Sequence, residues 1–263
     1  MSEPTRAGRG PDHGTGTLYL VPTPLDFGTG SDHPLSEVLP ETTLRIAARL
    51  DHWVCENAKT LRAVLKRVQA SHALAVPLQQ QHISELPREV HKHGDHDGRF
   101  DARALLTPAL QGHDIGLASE AGMPAVADPG SSVVRAAHEL GIAVVPLVGP
   151  ASLLLALAAS GLNGQQFAFV GYLPQDAAQR TARLRELEAT VMRTGATQLF
   201  IETPYRNAAL WQALLRDLKP TTRLAVASGL TLAGATCRCL SVAQWRTGAP
   251  PMGDLPAVFA IGR

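Results

Sequence analysis

Cysteine is scarce in this 263-residue chain, with only Cys55, Cys237 and Cys239. An odd number without a repeated spacing excludes a disulfide framework, and Cys237-x-Cys239 is neither a redox Cys-x-x-Cys nor half of a zinc site. Unpaired cysteines are typical of a reducing compartment. We therefore expect a cytoplasmic protein whose thiols are small buried side chains or lie at a sheet edge.

Strong charge and long apolar runs are also missing. The net charge of +1 gives no global field that would attract nucleic acid, although a local basic patch would suffice. Residues 142–162 carry no charge, but Pro146, Gly149 and Pro150 leave a helix of about a dozen residues, against the ~20 that a bilayer requires. We expect no membrane partner and no DNA partner.

The length and the ordinary globular composition predict two modest domains. Residues 1–16 have no apolar core of the kind a signal peptide needs, and they predict a mobile tail. We place an N-terminal α/β domain at residues 17–147 and a C-terminal α/β domain at residues 148–263. The Gly149-Pro150 pair near the boundary would serve as a hinge.

Strand-like and helix-like segments alternate in the first half, which predicts a mostly parallel sheet. The predicted strands are residues 17–21, 52–56, 73–77, 114–118 and 142–146, and the helices are residues 34–50, 58–69, 100–110 and 131–140. In the second half, helices at 151–162, 177–193 and 208–218 accompany strands at 167–172, 198–202, 223–227, 237–240 and 257–261. The last three strands follow one another closely, which predicts antiparallel pairing and a mixed sheet.

Histidines and aspartates cluster at residues 81–103, where His82, His91, His93 and His96 lie near Asp95 and Asp97 in the sequence. These side chains can bind zinc. However, Gly94 and Gly98 loosen the segment, and it lacks a helical or strand pattern. We interpret it as a mobile polar loop and predict no metal site.

The segment GLASEAGMPAVADPG, residues 116–130, is the most informative motif. It predicts a strand, a tight loop and a helix start, and ligands of open α/β sheets bind at such loops. Gly122 permits close backbone approach, and Pro124 and Pro129 stiffen the loop. For Asp128 we favour a helix-capping role over catalysis. A Rossmann site is set aside because no Gly-x-Gly-x-x-Gly follows the first strand.

This motif resembles the loop of the tetrapyrrole-methylase-fold methyltransferases, and it is most similar to the small-subunit rRNA (cytidine-2′-O)-methyltransferase branch. Further motifs resemble that family in the same order: LYLVPTP from Leu18, VGPAS ending at Ser152, FAFVGYLP from Phe167 and IETPYR from Ile201. The resemblance implies two α/β domains with S-adenosylmethionine in a cleft between them. It assigns the cofactor to Ser119, Glu120, Ala121, Gly122, Gly149, Pro150, Ser152 and Thr203.

The resemblance also implies 2′-O-methylation of ribose in ribosomal RNA, with the small ribosomal subunit as partner, and a homodimer. A ribose hydroxyl is a poor nucleophile, so a base is useful, and Glu56 and Glu202 are the candidates. Lys59 and Arg206 are candidate substrate contacts, and Arg206 could instead pair with Glu202.

Two motifs depart from the family pattern. Glu56-Asn57-Ala58-Lys59 stands where the family has Glu-Asp-Thr-Arg, and residues 228–232 lack the family's Arg-Glu pair. These positions are expected to contact substrate. A small or tetrapyrrole-like acceptor, or a cofactor-binding protein without activity, therefore remain as alternative hypotheses.

Overall fold

The computed structural model describes residues 14–26, 33–248, 250–253 and 255–263, and for residues 91–93 the backbone alone. The predicted tail falls outside this range up to residue 13. Contacts between Cα atoms divide the chain into two units. The first comprises residues through Thr23 together with Leu39–Val148. The second comprises Pro24–Val38 and Gly149–Arg263, so a short segment after the first strand is grouped with the C-terminal unit.

The first unit contains one parallel five-stranded sheet in the order β3-β2-β4-β1-β5. Its strands are β1 (Thr17–Leu20), β2 (His52–Cys55), β3 (His82–Glu85), β4 (Ile115–Ala118) and β5 (Ala143–Pro146). Its helices are α1 (Glu41–Arg49), α2 (Ala58–Gln69), α3 (Arg88–His93), α4 (Thr107–Leu110) and α5 (Ser131–Glu139). The buried pattern of β4, in which all four residues are covered, is typical of a central parallel strand.

Three predictions for this unit are wrong. Residues 73–77 form no strand, and β3 lies instead at His82–Glu85, inside the segment that we interpreted as a loop without a strand or helix. The reason is that β3 is an edge strand with three exposed residues, so it carries no apolar run. The helix predicted at residues 100–110 is a 3-10 turn, Arg103–Leu106, followed by α4.

The second unit contains a mixed sheet in the order β6-β7-β10-β8-β9. Its strands are β6 (Phe167–Tyr172), β7 (Thr197–Glu202), β8 (Arg223–Ser228), β9 (Thr236–Ser241) and β10 (Ala257–Gly262). Its helices are α6 (Ser152–Ser160), α7 (Ala177–Thr194), α8 (Asn207–Asp217) and α9 (Val242–Trp245). The expected antiparallel pairing is confirmed, because β8 pairs antiparallel with both β9 and β10. Two α/β units with a parallel and a mixed sheet confirm the predicted fold class.

Each unit has buried apolar clusters of its own. In the second unit Phe200, Trp211, Leu214 and Phe259 belong to one cluster and are at most 2% exposed. The three cysteines are free. Cys55 is buried, and burial is the main reason that its pKa is raised to about 12, so this thiol is inert at neutral pH. Among the described residues, no helix has the length and apolar content that crossing a bilayer would require.

Candidate functional site

The loop after β4 is attached to the chain that follows β1. Thr23 and Gly122 exchange two backbone hydrogen bonds of 2.9 and 3.0 Å, and the Thr23 hydroxyl donates to the Ser119 carbonyl at 3.3 Å. Because β1 and β4 are neighbouring parallel strands, their carboxyl ends meet at the same edge of the sheet. Strand order therefore places the predicted cofactor loop at the edge where ligands of such sheets bind.

The backbone of this loop is strained. Gly122 has φ 85°, which suits glycine, but Ala125 and Ala127 also adopt positive φ angles of 62° and 64°. A non-glycine residue in this region costs on the order of 1–3 kcal/mol, and such strain concentrates at ligand-binding sites. Gly130 has φ 132°, a conformation that favours glycine, and a Cβ there would make a tight contact of 3.1 Å with Leu117 Cδ2. The residues packed around the loop therefore hold its backbone in a strained conformation.

Three acidic side chains lie close together at this edge. Glu56 follows β2 and accepts a hydrogen bond of 3.2 Å from the backbone nitrogen of Glu120, which follows β4. Glu120 Oε1 accepts from Asn57 Nδ2 at 2.9 Å and from the Thr60 hydroxyl at 3.5 Å. β2 and β4 are adjacent in the sheet, and this adjacency brings the two glutamates together.

Asp128 is the third acid of the group. Burial, and then the charge of Glu56 and that of Glu120, raise the pKa of Asp128 to about 7. The Ser119 side chain alone lowers it, although the buried Ser119 hydroxyl has no hydrogen bond of standard geometry to any described residue. Asp128 therefore releases its proton less readily than an exposed aspartate, and it lies close to the buried side chain of Ser119.

The prediction that Asp128 caps the helix after the loop is wrong. The N-cap residue of α5 is Gly130, which has no side chain that could cap the helix. Asp95 does so from a distant loop: its carboxylate accepts from the nitrogens of Gly130 and Ser132 at 2.9 Å each. It also accepts from the hydroxyls of Ser131 and Ser132. Asp95 thus belongs to a helix cap and not to a metal site.

In the second unit, Glu202, Thr203 and Arg206 form a compact group after β7. Glu202 is buried, and its Oε1 accepts from the Thr203 nitrogen at 2.8 Å and lies 2.6 Å from Arg206 Nη2. The alternative that Arg206 pairs with Glu202 is confirmed. The Arg206 guanidinium also lies over the rings of Tyr172 and Tyr205. Tyr205 is 82% exposed, so one aromatic face is open to solvent.

The other predicted residues are less informative. Lys59 is exposed in the first turn of α2, Gly149 is half-buried, Pro150 is buried, and Ser152 is the first residue of α6. The capping role of Asn57 was not predicted from the sequence. Its side-chain oxygen accepts hydrogen bonds from the backbone nitrogens of Lys59 and Thr60 at the start of α2, and its Nδ2 donates to Glu120 Oε1. An asparagine directly before a helical pattern is a recognised cap signal and could have identified it.

A family model described as Tetrapyrrole (Corrin/Porphyrin) Methylases matches residues 35–239. A protein of Pseudomonas aeruginosa named Ribosomal RNA small subunit methyltransferase I is 34% identical, over 87% of this chain and 71% of its own length. Proteins of the same name from Vibrio cholerae and Mesorhizobium japonicum are 29% and 34% identical, over 88% and 81% of this chain and 71% and 63% of their own lengths.

Two solved structures have the same fold. The uroporphyrin-III-C-methyltransferase of Thermus thermophilus superposes with a TM-score of 0.50 at 21% identity, covering 94% of this chain and 92% of that one. The methyltransferase CobJ superposes with a TM-score of 0.54 at 18% identity, covering 95% of each chain.

Proposed function

Because the chain belongs to the tetrapyrrole (corrin/porphyrin) methylase family, we propose that it is an S-adenosylmethionine-dependent methyltransferase acting on a ribose 2′-hydroxyl of small-subunit ribosomal RNA. The observation that carries the proposal is the 34% identity to a Ribosomal RNA small subunit methyltransferase I over most of the chain. The chain spans 54–71% of the length of such relatives. The loop geometry of the first unit supports the same activity.

Ser119, Glu120, Ala121 and Gly122 would hold the cofactor in the first unit. The fit rests on an unpartnered atom: the Ser119 hydroxyl is buried and has no hydrogen bond to a described residue, which a polar ligand would correct. Gly122 provides close backbone approach, and the carboxylates of Glu56 and Glu120 favour a cation. Gly149, Pro150, Ser152 and Thr203 remain predicted cofactor contacts of the second unit.

When bound, S-adenosylmethionine supplies an electrophilic methyl group on a positively charged sulfonium. Glu56 and Glu202 are the proposed bases that would accept the proton of the ribose hydroxyl. Glu202 Oε1 is occupied by Arg206 and Thr203, so Oε2 would accept the proton. Arg206 is therefore proposed to orient Glu202 as well as to contact substrate.

Substrate binding is assigned to Lys59 in the first unit and Arg206 in the second. Both cations would contact phosphate groups of RNA. Tyr205 is largely exposed beside Arg206, and proteins commonly stack unpaired RNA bases on such aromatic rings. A cytoplasmic homodimer completes the proposal. The exposed apolar side chains of Leu154 and Phe167 in the second unit are consistent with a protein interface.

The test combines binding and transfer. Calorimetry with S-adenosylmethionine and with neutral S-adenosylhomocysteine is followed by transfer of labelled methyl groups to small ribosomal subunits that lack the modification. Losing a hydrogen-bonded charge costs roughly 1.5–3 kcal/mol, so Glu120→Gln should weaken S-adenosylmethionine about tenfold or more. Because S-adenosylhomocysteine lacks the positive charge on sulfur, its affinity should fall less in this variant.

Glu139→Gln is the matched control, since Glu139 is an exposed acid in the last turn of α5. It should leave both affinities unchanged. No binding at millimolar cofactor would overturn the whole proposal. Binding without transfer would indicate a cofactor-binding protein, and transfer to a tetrapyrrole but not to RNA would exclude the proposed acceptor.

A further inference from the structure

Three side chains that can ligate a metal converge at the opposite edge of the first sheet. Suitable ligand atoms of Asp51, His52 and His113 all lie within 4.8 Å of one another. Asp51 Oδ1 and His52 Nδ1 are 2.8 Å apart. The His52 ring stacks on the His82 ring at a centroid distance of 4.6 Å, and its centroid lies 4.5 Å from that of the His113 ring, with the two planes tilted by 37°. Among the described residues, this is the one group of three such side chains at this spacing.

The topology explains why residues so far apart in the chain meet here. His52 and His82 are the first residues of β2 and β3 and are register partners. His52 is also paired with Ile115, the first residue of β4, and His113 lies two residues before it. All three strands are parallel, so their amino ends share one edge. The site lies at the end of the sheet away from Ser119 and Glu120, about four strand residues or ~13 Å along the strands.

The backbone around the group is well fixed. A Cβ at Gly16 would overlap the carbonyl oxygen of His113, so glycine permits the close approach that positions this histidine. The Asp51 carbonyl accepts a hydrogen bond of 2.8 Å from the His82 nitrogen. Ligands held in place by the fold lose little freedom on binding, which favours affinity.

We propose that Asp51, His52 and His113 bind a divalent transition-metal ion such as Zn²⁺ or Ni²⁺, with water completing the coordination. Metal–ligand bonds of about 2.0–2.1 Å place two ligand atoms at most ~4.2 Å apart, so small side-chain rotations close the present 4.8 Å spread. Imidazole nitrogens with one carboxylate are a ligand set typical of these ions and not of Mg²⁺ or Ca²⁺.

Asp51 Oδ1 accepts a hydrogen bond of 2.8 Å from His52 Nδ1, so Nδ1 carries a hydrogen in the metal-free chain. The ion would replace this hydrogen between the two atoms, and the displaced proton would pass to solvent, because an imidazole nitrogen must be deprotonated to bind a metal.

Accessibility agrees with a site that exchanges its ion with solvent. The Asp51 and His52 side chains are 34% and 16% exposed, and His113 is exposed. Arg49, two residues before Asp51, is paired with Asp114 at 3.0 Å and donates a hydrogen bond to the Tyr19 hydroxyl. Given its position away from the proposed cofactor loop, the ion would stabilise the first unit and would not take part in methyl transfer.

The experiment titrates the full chain with Ni²⁺ and, separately, Zn²⁺, by calorimetry and thermal unfolding at pH 7.5. The double variant His52→Asn, His113→Gln keeps polar side chains and should lose one equivalent of bound metal, or bind it at least about tenfold more weakly. The metal-induced rise in Tm should disappear with it.

His72→Ala is the matched control. His72 also pairs with a carboxylate, Glu41, at 2.8 Å, but it does not belong to a three-ligand group of described residues. This variant should bind metal as the unmodified chain does. Equal stoichiometry and affinity in the double variant would overturn the proposal. So would anomalous scattering from a metal-soaked crystal that places the ion at other histidines.

Discussion

A buried glutamate is stable only with its partners in place, and Glu202 illustrates this at the residue scale. Its carboxylate is almost fully covered, and Arg206, at 22% side-chain exposure, supplies the opposite charge. Removing one member of a buried pair costs more than the pair contributes, because the remaining charge stays desolvated.

Arg206→Ala should therefore lower the free energy of unfolding by roughly 2–4 kcal/mol, measured by urea denaturation. Arg206→Lys keeps the charge but loses the planar fork and should cost about half as much. Arg238→Ala cannot serve as the control, because the exposed Arg238 guanidinium lies over the Trp245 ring. Arg99→Ala is suitable, since Arg99 forms an exposed pair with Asp97. If Arg206→Ala lost no more unfolding free energy than Arg99→Ala, the prediction would be contradicted.

Asp128 predicts a pH dependence of stability. Its pKa of about 7 lies above the value of 3.8 expected for an exposed aspartate. The folded chain therefore keeps a proton between about pH 4 and pH 7 that the unfolded chain has already released. Linkage then requires the stability from this group to fall as pH rises through that window.

Asp128→Asn removes this titration. Relative to the unmodified chain, the variant should gain roughly 1–3 kcal/mol in unfolding free energy between pH 4 and pH 8. Urea midpoints across this range measure the difference. Glu139→Gln, at an exposed position, should show no such trend. If the difference in unfolding free energy between Asp128→Asn and the unmodified chain did not change with pH, the raised pKa of Asp128 would be refuted.

At the scale of elements, the helix that follows the proposed cofactor loop depends on a residue 35 positions before its N-cap residue, Gly130. Asp95 is 2% exposed and bonds to the first turn of α5. Burial raises the pKa of Asp95, but hydrogen bonds from Ser132, Ser131 and Gly130 together outweigh it and hold the pKa below its ordinary value. The stabilisation that Asp95 provides is therefore fully present above the pKa of this group in the unfolded chain. It is lost as the pH falls through the lower pKa of the same group in the folded chain.

Asp95→Ala should cost about 2–4 kcal/mol at pH 7, because it leaves several buried donors without an acceptor. The cost should shrink in acid, where the carboxylate of the unmodified chain is also protonated. Denaturation at pH 7 and pH 3 measures both values. Asp97→Ala removes a neighbouring exposed acid and should lower the unfolding free energy by under about 0.5 kcal/mol. Equal losses in Asp95→Ala and Asp97→Ala would contradict the prediction.

At the scale of the whole molecule, each unit has its own apolar clusters. A cavity in one cluster removes packing energy from that unit first. Leu214→Ala, at a fully buried position of the second unit, should lower stability by about 2–5 kcal/mol. Leu117→Ala is the matched change in the first unit.

Hydrogen exchange resolves where the loss occurs. Leu214→Ala should reduce protection in β7, β8 and β10 while β1, β2 and β4 keep theirs, and Leu117→Ala should do the reverse. Uniform loss across both sheets in either variant would mean that the chain unfolds as a single cooperative unit.

Local patterns in the sequence were sufficient to predict most helices and strands and the fold class. Central strands such as β4 and β10 are buried on both faces, and helices such as α2 have one apolar side, so their patterns are direct consequences of burial. The edge strand β3 was missed for the same reason, because an edge strand with exposed residues has no apolar pattern to detect.

The motif after β4 could also be recognised from sequence, because a loop with fixed glycines and prolines is encoded by consecutive residues. Contacts between distant segments could not. The link from Glu56 to Glu120, the Asp95 cap and the group of Asp51, His52 and His113 depend on which strands are neighbours and in what register. Local chemistry determines which segments become strands and helices, whereas strand order, a property of the folded chain, decides which side chains meet.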